Sequence, residues 1–252
     1  MKHRGRALAP SLYTVALVLW AASAVAQDSE RDRLRFIVQQ QCLPHWLQAH
    51  DPAPCISVDT AGGGSSPAGF AVLADRKGGA HFLLIPTQTI SGIESPGVRS
   101  SAALNYFDAA WQARDVLATA VGHTVPREAV GIAVNQLRAR SQDQLHIHIS
   151  CLRQSVYDAL QAGAERIGPN WSAFGIAGWH YQALRIMGQQ LAPANPFELL
   201  ADRLPGAREA MEQFTVLVAG MRFKEGLGFV VLAGSAVPGA ELLLDSGCAV
   251  AR

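Results

Sequence analysis

Apolar residues recur along the chain with two periods, one typical of helices and one typical of strands. Helical spacing predicts helices over 29–48, 102–120, 155–164 and 197–204, and Pro44 marks the predicted end of the first. The stretch 179–190 reads as helical or mixed. Alternation and short apolar runs predict strands over 56–59, 69–74, 80–85, 130–135, 144–151, 215–222 and 228–233. The pattern is therefore one of strands interleaved with helices.

Turn residues between neighbouring strands indicate hairpins. Arg76-Lys77-Gly78-Gly79 separates one pair, and Lys224-Glu225-Gly226 separates another. Hairpins imply antiparallel pairing, so the fold class expected is α+β, an antiparallel sheet with flanking helices. An internally duplicated core, in two related halves, is a further option. A length of 252 residues suits one sizeable domain either way.

The first 26 residues are expected to lie outside the folded domain, which is assigned to 27–252. Basic residues at Lys2, Arg4 and Arg6 precede an apolar run over 7–26, and the run ends in a small-residue Ala-x-Ala pattern. This arrangement predicts export from the cytoplasm. Its length leaves two outcomes open, a cleaved signal peptide or a single N-terminal membrane anchor with the basic end inside.

Export changes the interpretation of the four cysteines, Cys42, Cys55, Cys151 and Cys248. No pair has the Cys-x-x-Cys spacing of a zinc site, and an oxidising compartment favours two disulfides. Three pairings are possible. The Pro-rich loop between Cys42 and Cys55 makes their closure the easiest, which leaves Cys151 to pair with Cys248. Four free buried thiols remain the alternative.

Bulk composition excludes some classes of function. Hydrophobic residues make up 49% of the chain, charged residues 16%, and the formal net charge is +1. This is the composition of a globular domain, without the strong basic field expected of a nucleic-acid-binding protein.

The chemistry is expected in the segment 144–151, Gln-Leu-His-Ile-His-Ile-Ser-Cys. Side chains alternate across a strand, so His146 and His148 share one face with Gln144. Three interpretations stay open: ordinary strand-surface histidines, two metal ligands, or a nucleophile with its supporting donor. The metal interpretation needs further ligands, for which the candidates are His81, His180, Asp143 and Glu94.

This segment resembles the histidine-triad motif of nucleotide hydrolases and transferases, His-φ-His-φ-His-φ-φ, with Gln144 in place of the first histidine. The segment 80–88 is similar to the strand that precedes the main helix in that superfamily. The segment 131–135 is similar to the strand before the triad, which ends in an asparagine, here Asn135.

A closer resemblance is to the CDP-diacylglycerol pyrophosphatases of bacterial inner membranes. It rests on the N-terminal segment, Cys-Leu-Pro at 42–44, Pro-Cys at 54–55, the segment 146–151 and Asp-x-x-Cys at 245–248. The resemblance implies a histidine-triad-like fold and hydrolysis of CDP-diacylglycerol to CMP and phosphatidate. It also implies a location at the outer face of the inner membrane, in the periplasm.

The resemblance implies a role for each residue of the motif. His146 would attack the nucleotide phosphorus, His148 would donate to a phosphate oxygen, and Gln144 would donate an N–H to the leaving or bridging oxygen. Residues expected to bind substrate are Asn135, Ser141, Gln142 and Arg153. The mechanism requires no metal and no cofactor, and the only partners expected are the lipid-linked substrate and the membrane. His81 is read as a core histidine.

Two other functions compete with this hypothesis. One is an exported pyrophosphatase of soluble nucleotides, and the other is a module that binds nucleotide or lipid without catalysis.

Overall fold

The computed structural model describes residues 30–60, 69–100, 103–176 and 178–252, and within them ten strands form one antiparallel sheet. The strands are β1 (Ser57–Asp59), β2 (Phe70–Ala74), β3 (His81–Pro86), β4 (Val130–Val134), β5 (Ile147–Leu152), β6 (Ser172–Ile176), β7 (Trp179–Met187), β8 (Thr215–Phe223), β9 (Gly226–Gly234) and β10 (Leu244–Asp245). Their order is β1-β2-β3-β5-β4-β8-β9-β7-β6, and β10 pairs with the last two residues of β5.

Helices flank the sheet. They are α1 (Arg33–Ile37), α2 (Leu43–Ala49), α3 (Tyr106–Gln112), α4 (Val116–Val121), α5 (Gln154–Gly163) and α6 (Pro196–Arg203). A π-helical turn, Val38–Cys42, joins α1 to α2. Shorter 3₁₀ turns are Pro96–Arg99, Ala113–Asp115, Arg127–Ala129, Leu137–Ala139, Ala164–Arg166, Met211–Gln213, Ala240–Leu243 and Ala249–Ala251. The α+β class is thereby confirmed, whereas the internal duplication stays a prediction.

Two element predictions need correction. The stretch 179–190, read as helical or mixed, holds the strand β7. Its side chains have a period of two: Tyr181 and Ala183 pack in one core cluster, and Leu184 and Ile186 in another. The strand β6, which pairs with β7, was not predicted.

The helix boundaries also differ from the prediction. Pro44 does not end the first helical stretch but lies in the first turn of α2, where its missing N–H leaves no hydrogen bond unmade. The helix predicted over 102–120 begins only at Tyr106, because the Asn105 side chain caps it by accepting from the Asp108 N–H at 3.1 Å.

The two faces of the sheet are covered differently. One face packs against α3 and α6 through fully buried side chains such as Phe107, Trp111 and Phe197. Each of these contributes roughly 1.5–3 kcal/mol by its burial. The other face carries two separate clusters, one under α1 around Leu34 and Val38, and one under α5 around residues 156–164. The functional site lies between those two clusters.

Both expected disulfides are present, which confirms the pairings Cys42–Cys55 and Cys151–Cys248, with Cα–Cα distances of 5.6 and 5.0 Å. The second bond links β5 to the C-terminal segment. Structural disulfides are typical of oxidising compartments, so the location they indicate is periplasmic or extracellular.

Across the described ranges, no helix combines the length and apolarity needed to cross a membrane. The segment 1–26, expected to be a signal or anchor, lies outside those ranges.

Candidate active site

Strand β5 places the histidine pair on the partly uncovered face of the sheet. β5 begins at Ile147, three residues later than the predicted strand, so His146 immediately precedes it. Ile147 and Ile149 point into the core against α3, and His148 points to the opposite face. In register, His148 lies between Leu83 of β3 and Ala133 of β4. These two neighbours belong to the two separate clusters, so the histidine sits at the gap between them.

The position of the proton on His146 is set by its own backbone. Its Nδ1 lies 2.8 Å from the carbonyl oxygen of Gln144. A carbonyl can only accept, so Nδ1 carries the hydrogen and Nε2 keeps its lone pair. Burial lowers the pKa of His146, although the bond to the Gln144 carbonyl opposes this effect. The imidazole is therefore neutral at pH 7, with an unprotonated Nε2 available for attack.

His148 is held by a second histidine, His81, on the adjacent strand β3. The Nδ1 of His148 lies 2.9 Å from the Nε2 of His81. The Asp75 carboxylate lies 3.9 Å from that Nε2, and a Glu241 oxygen lies 3.4 Å from the Nε2 of His148. Each carboxylate favours a hydrogen on the nitrogen that it faces. The arrangement thus has His81 donating to His148, and His148 carrying its hydrogen on Nε2.

The Nε2 of His148 is buried and makes no hydrogen bond with other described residues, because the 3.4 Å contact to Glu241 lacks hydrogen-bond geometry. An unpaired buried donor is costly unless a ligand satisfies it. Burial, together with the nearby His146 and His81, holds the pKa of His148 well below its ordinary value. His148 is therefore a neutral donor lining the site.

The pairing of His81 with His148 leads to a prediction. Changing His81→Leu removes the donor, and we expect kcat to fall about 100-fold because His148 loses its fixed orientation. Changing His81→Gln keeps an N–H near the same position, and we expect activity close to that of the wild type. Nitrogen NMR of the His148 ring should show the Nε2–H tautomer in the wild type and in His81→Gln. In His81→Leu it should show a mixture of the Nδ1–H and Nε2–H tautomers. Equal activity in both variants would contradict this arrangement.

A cleft of about 400 Å³ opens over the two histidines. Its walls combine cationic, acidic, polar and apolar side chains: Arg33, Leu34, Ile37, Leu73, Ala74, Asp75, Arg76, Lys77, Leu83, Asn135, Ala139, Ser141, Gln142, His146, His148 and Glu241. Such a cleft can hold an anionic group beside an apolar one.

The amide of Gln144 does not line this cleft. Its Nε2 donates to the carbonyl oxygens of Pro86 and Gln88, at 3.0 and 2.8 Å, and its Oε1 accepts from the Ile90 N–H. Both of its N–H donors are therefore engaged with the backbone at the end of β3 and just after it. The contribution of Gln144 to the site is its own carbonyl, which orients His146.

Three of the four residues expected to bind substrate line the cleft: Asn135, Ser141 and Gln142. Asn135 accepts from the Glu241 N–H at 3.3 Å and so holds the acidic residue in place. Gln142 binds the Leu34 N–H and the Glu30 carbonyl, which tethers α1 beside the cleft.

Arg153 is not brought to the cleft. It follows the far end of β5, and its Nε donates to the Leu244 carbonyl at 3.1 Å. Five steps of extended chain, roughly 16 Å at about 3.3 Å per residue, separate Arg153 from His148, which lines the cleft.

Of the candidate metal ligands, only His81 lies with the pair. His81, His148 and Asp75 have ligand atoms within 4.8 Å of one another. Asp143 instead binds Arg31 and Arg140, and Glu94 binds Arg140. His180 is exposed on β7. The Nε2 of His81 and the Nδ1 of His148 are 2.9 Å apart, which is the length of a hydrogen bond. The cluster therefore fits two histidines that share a proton.

Several residues of the site carry no recognisable signal in the sequence. Asp75 falls between the predicted strand 69–74 and the predicted turn 76–79, to which Arg76 and Lys77 belong. No helix or strand is predicted at Glu241. Lys77 and Glu241 lie 3.4 Å apart in the folded protein although 164 positions separate them. Only His81 carried a hint, because it is a polar residue at the start of an otherwise apolar strand.

Two comparisons with known proteins identify the family of this chain. The model of the family described as CDP-diacylglycerol pyrophosphatase matches residues 29–252. The chain belongs to this family. A relative from Yersinia pestis, named CDP-diacylglycerol pyrophosphatase, is 39% identical over 249 residues, which cover 95% of this chain and 93% of the relative.

Proposed function

We propose that this protein hydrolyses the pyrophosphate bond of CDP-diacylglycerol, releasing CMP and phosphatidate, with His146 as the nucleophile. Family membership and the relative's name support the substrate. The observation that carries the mechanism is the 2.8 Å bond from His146 Nδ1 to the Gln144 carbonyl. It leaves a neutral, oriented Nε2 lone pair in a cleft lined by cationic side chains.

In the first step, His146 Nε2 attacks the phosphorus of the CMP moiety. A P–N bond forms, the P–O bond to the bridging oxygen breaks, and phosphatidate leaves with that oxygen. The product is a phosphoramidate whose imidazole ring carries a positive charge. This charge makes the ring of His146 a good leaving group in the second step. His148 donates its Nε2–H to a nonbridging oxygen. This hydrogen bond stabilises the negative charge that builds up on that oxygen in the transition state.

In the second step, water attacks the same phosphorus. The P–N bond breaks, CMP leaves, and the electron pair returns to His146 Nε2. The proton lost by the water needs an acceptor. The Glu241 carboxylate lines the cleft 3.4 Å from His148 Nε2 and is the acceptor that we propose.

Gln144 takes a positioning role in this scheme. Its N–H donors are engaged by Pro86 and Gln88, so the departing phosphatidate leaves without a proton from this side chain. A phosphate monoester is a stable anion at neutral pH, and it leaves readily without an acid.

The cleft walls match the two ends of the substrate. Arg33, Arg76 and Lys77 supply positive charge for the diphosphate. Leu34 and Ile37 of α1 offer apolar surface for the glycerol end of the lipid. Asn135 and Ser141 remain proposed contacts for ribose or phosphate.

We propose that the domain works in the periplasm, at the outer face of the inner membrane. Two disulfides support an oxidising compartment. The apolar run over 7–26 supports a membrane anchor or, if it is cleaved, a released periplasmic protein.

Hydrolysis in water labelled with heavy oxygen tests this proposal. Attack at the CMP phosphorus predicts the label in CMP and none in phosphatidate, with CMP and phosphatidate formed in equal amounts. Soluble nucleotide diphosphates serve as the comparison substrate and should react much more slowly. Label in phosphatidate would contradict attack at the CMP phosphorus. Faster hydrolysis of soluble nucleotides than of CDP-diacylglycerol would favour a pyrophosphatase of soluble nucleotides. No hydrolysis of either substrate would favour a module that binds without catalysis.

A further inference from the structure

Three exposed apolar side chains lie within two positions along the chain of residues that line the cleft. Phe36 of α1 is 57% exposed and lies next to Ile37, which lines the cleft. Leu137 is 39% exposed and Leu242 is 51% exposed. Phe36, Leu137 and Leu242 are called the mouth residues below. Large exposed apolar side chains around a binding cleft indicate a surface that meets an apolar partner.

Leu137 and Leu242 belong to two turns that touch. Leu137 lies two residues from Ala139, and Leu242 lies next to Glu241, and both of these neighbours line the cleft. A Cβ placed on Gly239 would lie 3.2 Å from the Cβ of Ala139, so the two turns are in contact. The two leucines therefore belong to neighbouring turns beside the cleft, and α1, which carries Phe36, contributes Arg33, Leu34 and Ile37 to the cleft wall.

The size of the cleft constrains how a lipid substrate binds. A volume of about 400 Å³ is near the lower end of the range for sites that enclose a drug-sized ligand. The nucleotide diphosphate head alone is of that size, which leaves no room for two long acyl chains. Acyl chains that remain in the bilayer would bring the mouth of the cleft against the membrane surface.

The chain and its charges are consistent with that orientation. The apolar run over 7–26 ends four residues before Glu30, the first residue described, and α1 follows at once. An anchor there would keep α1, with Phe36, close to the bilayer. Arg33 and Arg76 are exposed at the cleft and share one carboxylate, Glu30, at 3.8 and 3.9 Å. Two cations beside one anion leave a net positive charge, which is opposite to that of anionic lipid head groups.

We propose that the mouth residues dock on the bilayer surface, so that a lipid head group enters the cleft while its acyl chains remain in the membrane. This inference rests on the proposed function, because it requires a lipid-linked substrate. Aromatic and aliphatic side chains that insert at the level of the head groups are a common means of interfacial binding.

The test compares two substrates with the full chain reconstituted in phospholipid vesicles. Long-chain CDP-diacylglycerol is placed in the bilayer, and a short-chain, water-soluble form is supplied from solution below its micelle concentration. In the variant Phe36→Ser/Leu137→Ser/Leu242→Ser we expect hydrolysis of the long-chain lipid to fall about tenfold, with the short-chain kcat/KM unchanged. The control Met187→Ser, 45% exposed on β7 and three strands from β4, should change neither rate.

A second measurement reports docking without catalysis. Phe36→Cys or Met187→Cys is labelled with an environment-sensitive fluorophore, the four native cysteines being paired in disulfides. The label at position 36 should report an apolar environment in vesicles, and the label at 187 should not. Unchanged long-chain hydrolysis in the triple variant, an equal fall on both substrates, or a label at 36 that stays in water would overturn the docking proposal. If the wild type hydrolysed neither the long-chain nor the short-chain substrate, the proposed function would be refuted instead.

Discussion

Replacing His146 with alanine will lower kcat for CDP-diacylglycerol hydrolysis by about four orders of magnitude, since no other group can form the covalent intermediate. The fold should survive, because the imidazole is at the edge of the cleft and its removal leaves only the Gln144 carbonyl without its partner. The affinity for substrate should change little, because the positive charges proposed to bind the diphosphate belong to Arg33, Arg76 and Lys77, which the variant keeps.

Steady-state kinetics and rapid alkaline quenching, each compared with the wild type, provide the measurement. Radiolabelled cytidine should remain attached to the wild-type chain after a rapid quench at high pH, where a phosphoramidate survives, and should be absent from His146→Ala. His180→Ala is the matched control, because His180 is an exposed histidine on β7 far from the cleft. Activity retained in His146→Ala would exclude His146 as the nucleophile. A loss of wild-type activity with a chelator would instead favour metal chemistry at His81, His148 and Asp75.

Removing the disulfide between Cys151 and Cys248 will lower the free energy of unfolding by about 4–5 kcal/mol, because the bond closes a long loop in the unfolded chain. The two cysteines are 97 positions apart, against 13 for Cys42 and Cys55. The shorter loop predicts a smaller loss, about 3 kcal/mol. Since Cys151 lies in β5, the longer bond also holds the strand that carries His148.

Denaturant titration of the two double alanine variants checks this prediction. Cys151→Ala/Cys248→Ala should show the lower midpoint, and Cys42→Ala/Cys55→Ala an intermediate one, with wild type highest. Reducing both disulfides of the wild type should lower the free energy of unfolding at least as much as Cys151→Ala/Cys248→Ala does. The account is refuted if the two variants are equally stable or if their order is reversed, because loop length would then not set the effect.

The sequence predicted the fold class and the core of the site because both depend on local pattern. Alternation in 144–151 put His146 and His148 on one face of a strand, and this depends only on the geometry of extended backbone. Loop length favoured the Cys42–Cys55 disulfide, and the remaining pair followed. The hairpin of β8 and β9 was likewise signalled by its turn residues.

Predictions failed where neighbours outweighed local preference. The strand β7 pairs with β9 over six registered positions, and this pairing fixes as a strand a segment whose sequence reads as helical or mixed. Arg153 seemed close to the motif along the chain, but the extended strand carries it to the other end of the sheet.

The sequence by itself determined the class of fold, the exported character and the two histidines, since each is encoded in short-range periodicity or composition. Only the tertiary structure decided what each histidine can do. The tautomer of His146 depends on a carbonyl two residues away in a bend, and that of His148 depends on His81, 67 positions earlier, and on Asp75 and Glu241. Hydrogen bonds and charges act over a few ångströms of space, and the folded chain sets those distances.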